Sequence, residues 1–340
     1  MSILFIGDQN KNGYSFYQYK VLKNNYSNVD FFEIKTINFL IKIIYKYSWH
    51  INLNIYDWII LFYLKKKIKK KYEIVYLHNE NLIGYKSIIF LKKISKKLIF
   101  YCPDNPFVKR DKKRWDLLKP NLKLFDLIIF MQKNRLKYTS KYKLDKTIWI
   151  PPTFKVNEFK RKFILKKKEN FKIDVLMIGT WFPERGKLFL KLKQNGINVL
   201  VYGNRWKNFE YYKNYKNFIN DAINNDDLYV KKIQSSKIAI CLPSFENDDD
   251  ITNKSLEIPY IGSLLLAKDS STHRSIFKNN VDAVFFKNFD DCLIKVKKLL
   301  SDEKKIVKIS RNGYEKLKKL KTKLSFEYNI KKIINSLLKV

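Results

Sequence analysis

Apolar residues in this chain gather in short runs of Ile, Val, Leu and Phe, separated by longer stretches with helical spacing. That alternation is the mark of parallel strands joined by crossover helices. It predicts strands near 3–6, 29–34, 73–77, 98–102, 127–130 and 147–150, then near 174–178, 198–202, 238–242, 263–267 and 283–286. The expected fold class is α/β, with two Rossmann-like parallel-sheet domains facing across a cleft. Pro151 and Pro152 end the last strand of the first half, and a basic stretch with little apolar periodicity follows. The division expected is a first domain over 1–155, a linker over 156–172, a second domain over 173–324 and a C-terminal helix over 325–340. In that helix Phe326, Ile330, Ile333, Ile334, Leu337 and Leu338 recur close to three-and-four spacing, giving one apolar face that can pack back toward the first domain.

The most membrane-like stretch is 39–64, but Lys42, Lys46, His50 and Asp57 interrupt it. Its uninterrupted pieces fall far short of the roughly 20 apolar residues a spanning helix needs. Two readings remain: a pair of buried or half-buried helices, or a surface-seeking helix. For the second, Trp49, Trp58, Phe62 and Tyr63 run into the lysines of 65–71, an order suited to anionic headgroups.

Length and composition then narrow the classes. A chain of 340 residues fits two domains, and 46% hydrophobic with 16% aromatic residues excludes wholesale disorder. Lys and Arg number 69 against 32 Asp and Glu, a net +37, which taken alone suggests nucleic acid or an anionic membrane. Only eight of the 69 are Arg, however, and Ala occurs four times, a skew that looks like codon bias in an AT-rich genome. Direct base reading leans on the planar Arg fork, so this composition disfavours nucleic acid as a partner. Cys102, Cys241 and Cys292 are too few and too scattered for a disulfide framework or a zinc site, which suits a reducing cytoplasm. The chain opens directly on an apolar strand, without a charged leader ahead of an apolar segment, so no secretion is expected.

In open parallel sheets ligands bind beyond the carboxyl ends of the strands. Here those positions are polar: Gly7-Asp8-Gln9-Asn10 with Gly13, His78-Asn79-Glu80-Asn81 and Asp104-Asn105-Pro106 in the first half, and Gly179-Thr180-Trp181, Gly203-Asn204-Arg205-Trp206 and Ser244-Phe245-Glu246 in the second. Each alone is also an ordinary turn. Gly7 with Gly13 lacks the three spaced glycines of a dinucleotide site, and no phosphate-loop Gly-Lys-Ser/Thr occurs, so NAD and P-loop chemistry are disfavoured. Within 248–267, Asp250 or Thr252 can cap a short helix whose free N–H groups favour an anion such as diphosphate. Glu257 lies on one face of that helix, where its two oxygens can accept both hydroxyls of a ribose. Pro259 and Gly262 read as a sharp stop ahead of a buried strand.

These segments together resemble the GT-B glycosyltransferases, and more narrowly the spore-maturation CgeB-like family of the glycosyl transferases group 1 type. In that family a Glu-Ile-Pro run precedes Gly and an apolar strand, as Glu257-Ile258-Pro259 and Gly262 do here. Gly179 to Arg185 resembles its Gly-x-x-x-Pro-Glu-Arg turn, and Tyr202-Gly203-Asn204-Arg205-Trp206 its Tyr-Gly-x-x-Trp. The match is specific over about 173–315 and only architectural before it.

The resemblance implies a donor substrate, a nucleotide-diphosphate sugar, whose ribose is held by Glu257 and whose diphosphate faces Thr252, Asn253, Lys254 and Ser255. It implies that Arg185 and Lys187 neutralise the leaving diphosphate beside Gly179. Thr180 stands where the family has a basic residue, so the charge falls to Arg185, Lys187 or Arg205. In related retaining enzymes a second acidic residue precedes this Glu by eight positions, the place of Asp249. A preorganised cation with helix N–H groups stabilises a departing diphosphate without metal or other cofactor. The Asp248–Asp250 run suits capping better than cation binding. On the acceptor side His78 and Asp104 are the candidate catalytic groups, His78 as hydrogen-bond donor or base. The expectation is a retaining, metal-independent hexosyltransferase-like enzyme acting on a cell-envelope glycan or lipid-linked acceptor, cytoplasmic and peripheral on the inner face of the membrane. Two alternatives stand beside it: a polyanion- or nucleic-acid-binding protein, and a GT-B protein that binds or epimerises a sugar nucleotide without transfer.

Overall fold

The structure, a computed structural model, describes residues 1–47, 56–154 and 172–338. Trp49, His50 and all of the expected linker except Lys172 lie outside the described residues.

The first half runs β1 (Ser2–Ile6), α1 (Tyr14–Asn25), β2 (Asn28–Phe32), α2 (Phe39–Tyr47), α3 (Tyr56–Lys67), β3 (Tyr72–His78), α4 (Tyr85–Lys93), β4 (Ser95–Cys102), β5 (Leu127–Phe130) and β6 (Thr147–Trp149). The second runs β7 (Ile173–Ile178), α5 (Pro183–Gln194), β8 (Val199–Tyr202), α6 (Tyr212–Tyr215), β9 (Ile219–Asn220), α7 (Asp226–Gln234), β10 (Ser236–Cys241), α8 (Asn253–Ile261), β11 (Leu264–Lys268), α9 (Ser271–Ile276), β12 (Val284–Phe286), α10 (Phe289–Leu300), α11 (Glu303–Leu320) and α12 (Phe326–Leu338). The stretch 39–64 folds as α2 followed by α3, with Ile41, Ile44, Ile60 and Leu64 buried. Asp57, one of the polar residues that breaks up this run, is itself buried. It accepts the N–H groups of Gly84 and Lys86 at 2.9 and 2.8 Å and so caps the start of α4.

The chain divides into two compact units, one of 1–151, 244–249 and 326–340, the other of 152–243 and 250–325. Each holds a six-stranded parallel sheet, ordered β2-β1-β3-β4-β5-β6 in the first and β12-β11-β10-β7-β8-β9 in the second. Alternation feeds both faces of each sheet, as a period of two requires. Leu4, Ile6, Val75 and Leu77 enter one core of the first unit, while Ile3, Phe5, Ile74 and Tyr76 enter the other. In the second unit Ile238, Ile240, Leu264 and Leu266 face one way and Ala239, Cys241, Leu265 and Ala267 the other.

The apolar face of α12 covers one side of the first sheet, where Phe326, Ile330 and Ile334 pack with Ile3, Phe5, Tyr76 and Tyr101. Residues 244–249, read from the sequence as part of the second domain, instead belong to the first unit. Two features differ from expectation within the second sheet. The edge strand β9 has only two residues and no apolar run to announce it. Pro259 sits inside α8 instead of ending it, and Gly262, with φ of 98°, makes the C-cap by donating its N–H to the carbonyls of Ile258 and Pro259.

Candidate active site

In the second unit the carboxyl ends of β7 and β8 and the start of α8 carry the residues singled out as donor-binding. The loop after β7 is drawn tightly to the loop after β8. Trp206 Nε1 donates to the Gly179 carbonyl at 2.9 Å, and the Trp181 N–H donates to the Asn204 carbonyl at 2.8 Å. A Cβ on Gly203 would stand 1.9 Å from the Gly179 oxygen, so only glycine fits there. Arg205 follows, exposed and in left-handed backbone with φ of 62°.

Arg185 lies in the first turn of α5, but its guanidinium is turned onto the backbone. Nη1 donates to the Thr180 carbonyl and Nη2 to the Leu242 carbonyl, each at 2.7 Å. It thus braces the loop after β7 to the end of β10. Lys187, two residues further along α5, is exposed. The sequence offers no signal of the brace, because the partners are carbonyls.

Glu257 is 5% exposed on α8, and its Oε2 accepts the Tyr229 hydroxyl from α7 at 2.6 Å. Burial, then the adjacent Glu257 charge, pushes the Tyr229 hydroxyl far above its ordinary range, so it stays a donor. Ahead of Glu257, the Thr252 N–H donates to Ser255 Oγ at 3.3 Å, while Ser255 is fully buried. Its hydroxyl also meets His273 Nε2 at 2.9 Å and Cys241 Sγ at 3.3 Å. Burial lowers His273 to about 4, so the ring is neutral at pH 7 and spans the hydroxyls of Ser255 and Ser270. Asn253 donates through its side-chain amide to the Thr153 carbonyl, and Lys254 is half-buried. Ser255 therefore faces the interior and holds the start of α8 in place. Tyr229 and His273, which periodicity alone marks as ordinary helix residues, are what orient that start.

Asp249 and its neighbours are built into the first unit. The fully buried Arg135 donates Nη2 to Asp249 Oδ1 at 2.8 Å and to the Asn247 carbonyl at 2.8 Å, and Nη1 to the Asp248 carbonyl at 2.6 Å. Asn105 adds two bonds to Asn247. Burial outweighs Arg135 and raises the Asp249 carboxyl to about 7, with Asp104 adding to the rise. Asp248 pairs with Lys137 at 2.9 Å, and Asp250 accepts from Thr272 at 3.4 Å. Each Asp of the run thus has its own protein partner.

Asp104 is committed in the same way. Arg110 reaches Oδ1 at 3.2 Å, and Arg114 and Asn79 reach Oδ2 at 3.1 and 2.9 Å. Burial pushes its carboxyl up, but Arg114 and Arg110 prevail and hold it below the usual carboxylate range. It is an ionised anchor rather than an acid. Asp111, also buried, joins Arg110, Arg114 and Trp115 to the network.

His78 ends β3 and stacks on Tyr101 with ring centroids 5.1 Å apart. Burial lowers it to about 4, so it is neutral at pH 7. Its Nε2 and the Oδ1 of Asn79 are shielded from solvent and lack a hydrogen-bond partner among the described residues. An unmade hydrogen bond of that kind costs about 1–3 kcal/mol. Both residues line a cavity of about 220 Å³ with Gly7, Asp8, Asn10, Gly13, Glu33, Lys35, Tyr45 and Glu80 among its walls. Glu33, Lys35 and Tyr45 had no signal in the sequence; the other positions named here are the strand-end residues read from it.

Residues 185–325 match the profile of the family described as glycosyl transferase-like. No curated protein matches the chain. Among solved structures it is similar to sucrose-phosphate synthase from Thermosynechococcus elongatus, at 13% identity and a TM-score of 0.74, covering 100% of this chain and 99% of that one. HepE of Anabaena in complex with UDP-glucose aligns at 11% identity and a TM-score of 0.63, covering 100% of both chains. An alpha-glucosyltransferase in complex with UDP and a 13-mer DNA aligns at 14% identity and a TM-score of 0.64, again over 100% of both. The fold shared with these proteins is GT-B.

Proposed function

We propose that this chain, a glycosyltransferase on the GT-B fold, moves a sugar from a nucleotide-diphosphate sugar to a cell-envelope glycan or a similar acceptor, with retention and without a metal. The observation that carries the donor reading is Glu257, buried on α8 and held by Tyr229 within the glycosyl transferase-like region. Two of the similar structures bind UDP-glucose or UDP, which supports a nucleotide donor here. Glu257 takes the ribose hydroxyls, and the start of α8, through the backbone N–H groups of Asn253 and Lys254, receives the diphosphate. Arg185 or the exposed Lys187 and Arg205 balance its charge as the anomeric carbon–oxygen bond breaks. The acceptor oxygen forms the new bond and its proton passes to the leaving phosphate oxygen. The separate partners of Asp248, Asp249 and Asp250 favour a metal-free site.

The CgeB-like subfamily and an anionic membrane at the inner cytoplasmic face belong to the same proposal. Among the described residues no helix is long and apolar enough to cross a membrane. Phe39, Trp58 and Phe62 are 77%, 61% and 61% exposed on α2 and α3, ahead of the exposed Lys65, Lys66 and Lys67, which favours attachment to the surface.

Thermal melting against a panel of nucleotide-diphosphate sugars tests the enzyme reading. A donor raises the melting temperature of the wild type and not of Glu257→Ala. Stabilisation by oligonucleotides and by no sugar nucleotide would instead favour a polyanion-binding protein.

A further inference from the structure

The cavity beyond β1, β2 and β3 has no role in donor binding as described above, and its chemistry is unlike the rest of the chain. In a protein of net charge +37, its walls hold three carboxylates, Asp8, Glu33 and Glu80, against one lysine. That lysine, Lys35, is already spanned by Asp8 at 2.7 Å and Glu33 at 2.9 Å. Glu80 spends Oε1 on the backbone N–H groups of Asn81 and Leu82, each at 2.9 Å. The neutral His78 adds no charge to the walls, and neither His78 Nε2 nor Asn79 Oδ1 has a partner among the described residues.

We propose that this cavity binds the hydroxyl groups of one uncharged sugar ring, the acceptor's, and excludes phosphorylated sugars. The cavity, about 220 Å³, lies below the roughly 300–1,000 Å³ of larger ligand sites, which suits a single ring and not a nucleotide. Carboxyl and amide oxygens accept from hydroxyls, whereas a phosphate brought beside Asp8 and Glu33, whose two charges exceed the one of Lys35 between them, meets like charge. The first turn of α1 borders the cavity at Gly13 and Tyr14 and attracts anions, and the charges of Asp8 and Glu33 act against it. Assigning the ring to the acceptor rests on the transferase reading; the binding chemistry does not.

The test is saturation-transfer NMR on the full chain with glucose, galactose, N-acetylglucosamine, glucose 6-phosphate and inorganic phosphate, repeated with UDP-glucose. At least one neutral sugar binds the wild type, and glucose 6-phosphate binds about tenfold more weakly or not at all. Glu80→Gln keeps the Oε1 acceptor and so the fold, yet weakens the neutral sugar by about tenfold. Asp8→Asn with Glu80→Gln narrows the gap between glucose and glucose 6-phosphate. Phosphate or glucose 6-phosphate binding the wild type as well as the neutral sugars do would overturn the proposal, as would no neutral sugar binding. An equal loss of UDP-glucose affinity in Glu80→Gln would assign the ring to the donor and overturn the acceptor assignment. Neutral-sugar binding with no sugar nucleotide bound would support this site while removing the donor reading.

Discussion

Arg135, with no exposed surface, holds Asp249 Oδ1 at 2.8 Å, and the Asp249 carboxyl nonetheless titrates near 7. Burial is the cause, and it has a direction in pH. An unfolded Asp titrates near 3.9. Between that value and about 7 the folded chain binds more protons than the unfolded one, so this group's contribution falls as pH rises through the interval and is lowest above it. Asp249→Asn keeps an oxygen for Arg135. Its stability relative to wild type is expected to rise from pH 5 to pH 8 by on the order of 2 kcal/mol. Urea denaturation at both pH values measures this, and a pH-independent difference would contradict it.

Tyr229 is expected to act through Glu257. Tyr229→Phe removes the 2.6 Å hydrogen bond while keeping the ring, so donor affinity falls about tenfold, against about a hundredfold or more in Glu257→Ala. Calorimetric titration with UDP-glucose resolves the two. Equal affinity in Tyr229→Phe and wild type would mean that the bond does not position the carboxylate.

Arg185 has a structural share that its place in a motif does not disclose. Loss of its bonds to the Thr180 and Leu242 carbonyls is expected to lower stability by about 1–3 kcal/mol in Arg185→Ala, besides any loss of donor binding. Denaturation of the ligand-free protein isolates the first effect. Unchanged stability would leave Arg185 with the diphosphate alone.

What could be read from the chain and what could not divide along physical lines. Strands such as β3, β4, β5 and β7 lie where the apolar runs put them, because a strand buried on both faces leaves a continuous run. β9 left none. Strand-end positions were legible too, since topology alone directs ligands there. Partners were not, because they are separated by long stretches of chain. Arg135 meets Asp249 from 114 residues away, and Lys35 meets Asp8 across 27. The scarcity of Arg was the nearest signal: Arg110, Arg114 and Arg135 all form ion pairs with carboxylates, where Lys lacks the planar fork.

Gly203, in a tight approach, and Gly196, in left-handed backbone, should behave differently. Gly203→Ala drives a methyl into the Gly179 carbonyl 1.9 Å away, and a loss of more than about 3 kcal/mol or failure to fold is expected. Gly196→Ala meets nothing within 4 Å and bears only the strain of a φ of 76°, about 1 kcal/mol. Thermal melts of both variants provide the comparison, and equal losses would be inconsistent with the close approach of the two loops.

The α12 packing also sets an order on synthesis. Ile3, Phe5, Tyr76 and Tyr101 leave the ribosome well before Phe326, Ile330 and Ile334, which help to cover them. Until then that face of the first sheet is covered only in part, by Tyr17 and Leu22 of α1, although the second unit between them has already been made. Co-translational folding of this enzyme therefore closes from the inside of the sequence outward, and a ribosome stalled before residue 326 holds a half-clad sheet that is a natural client for a chaperone.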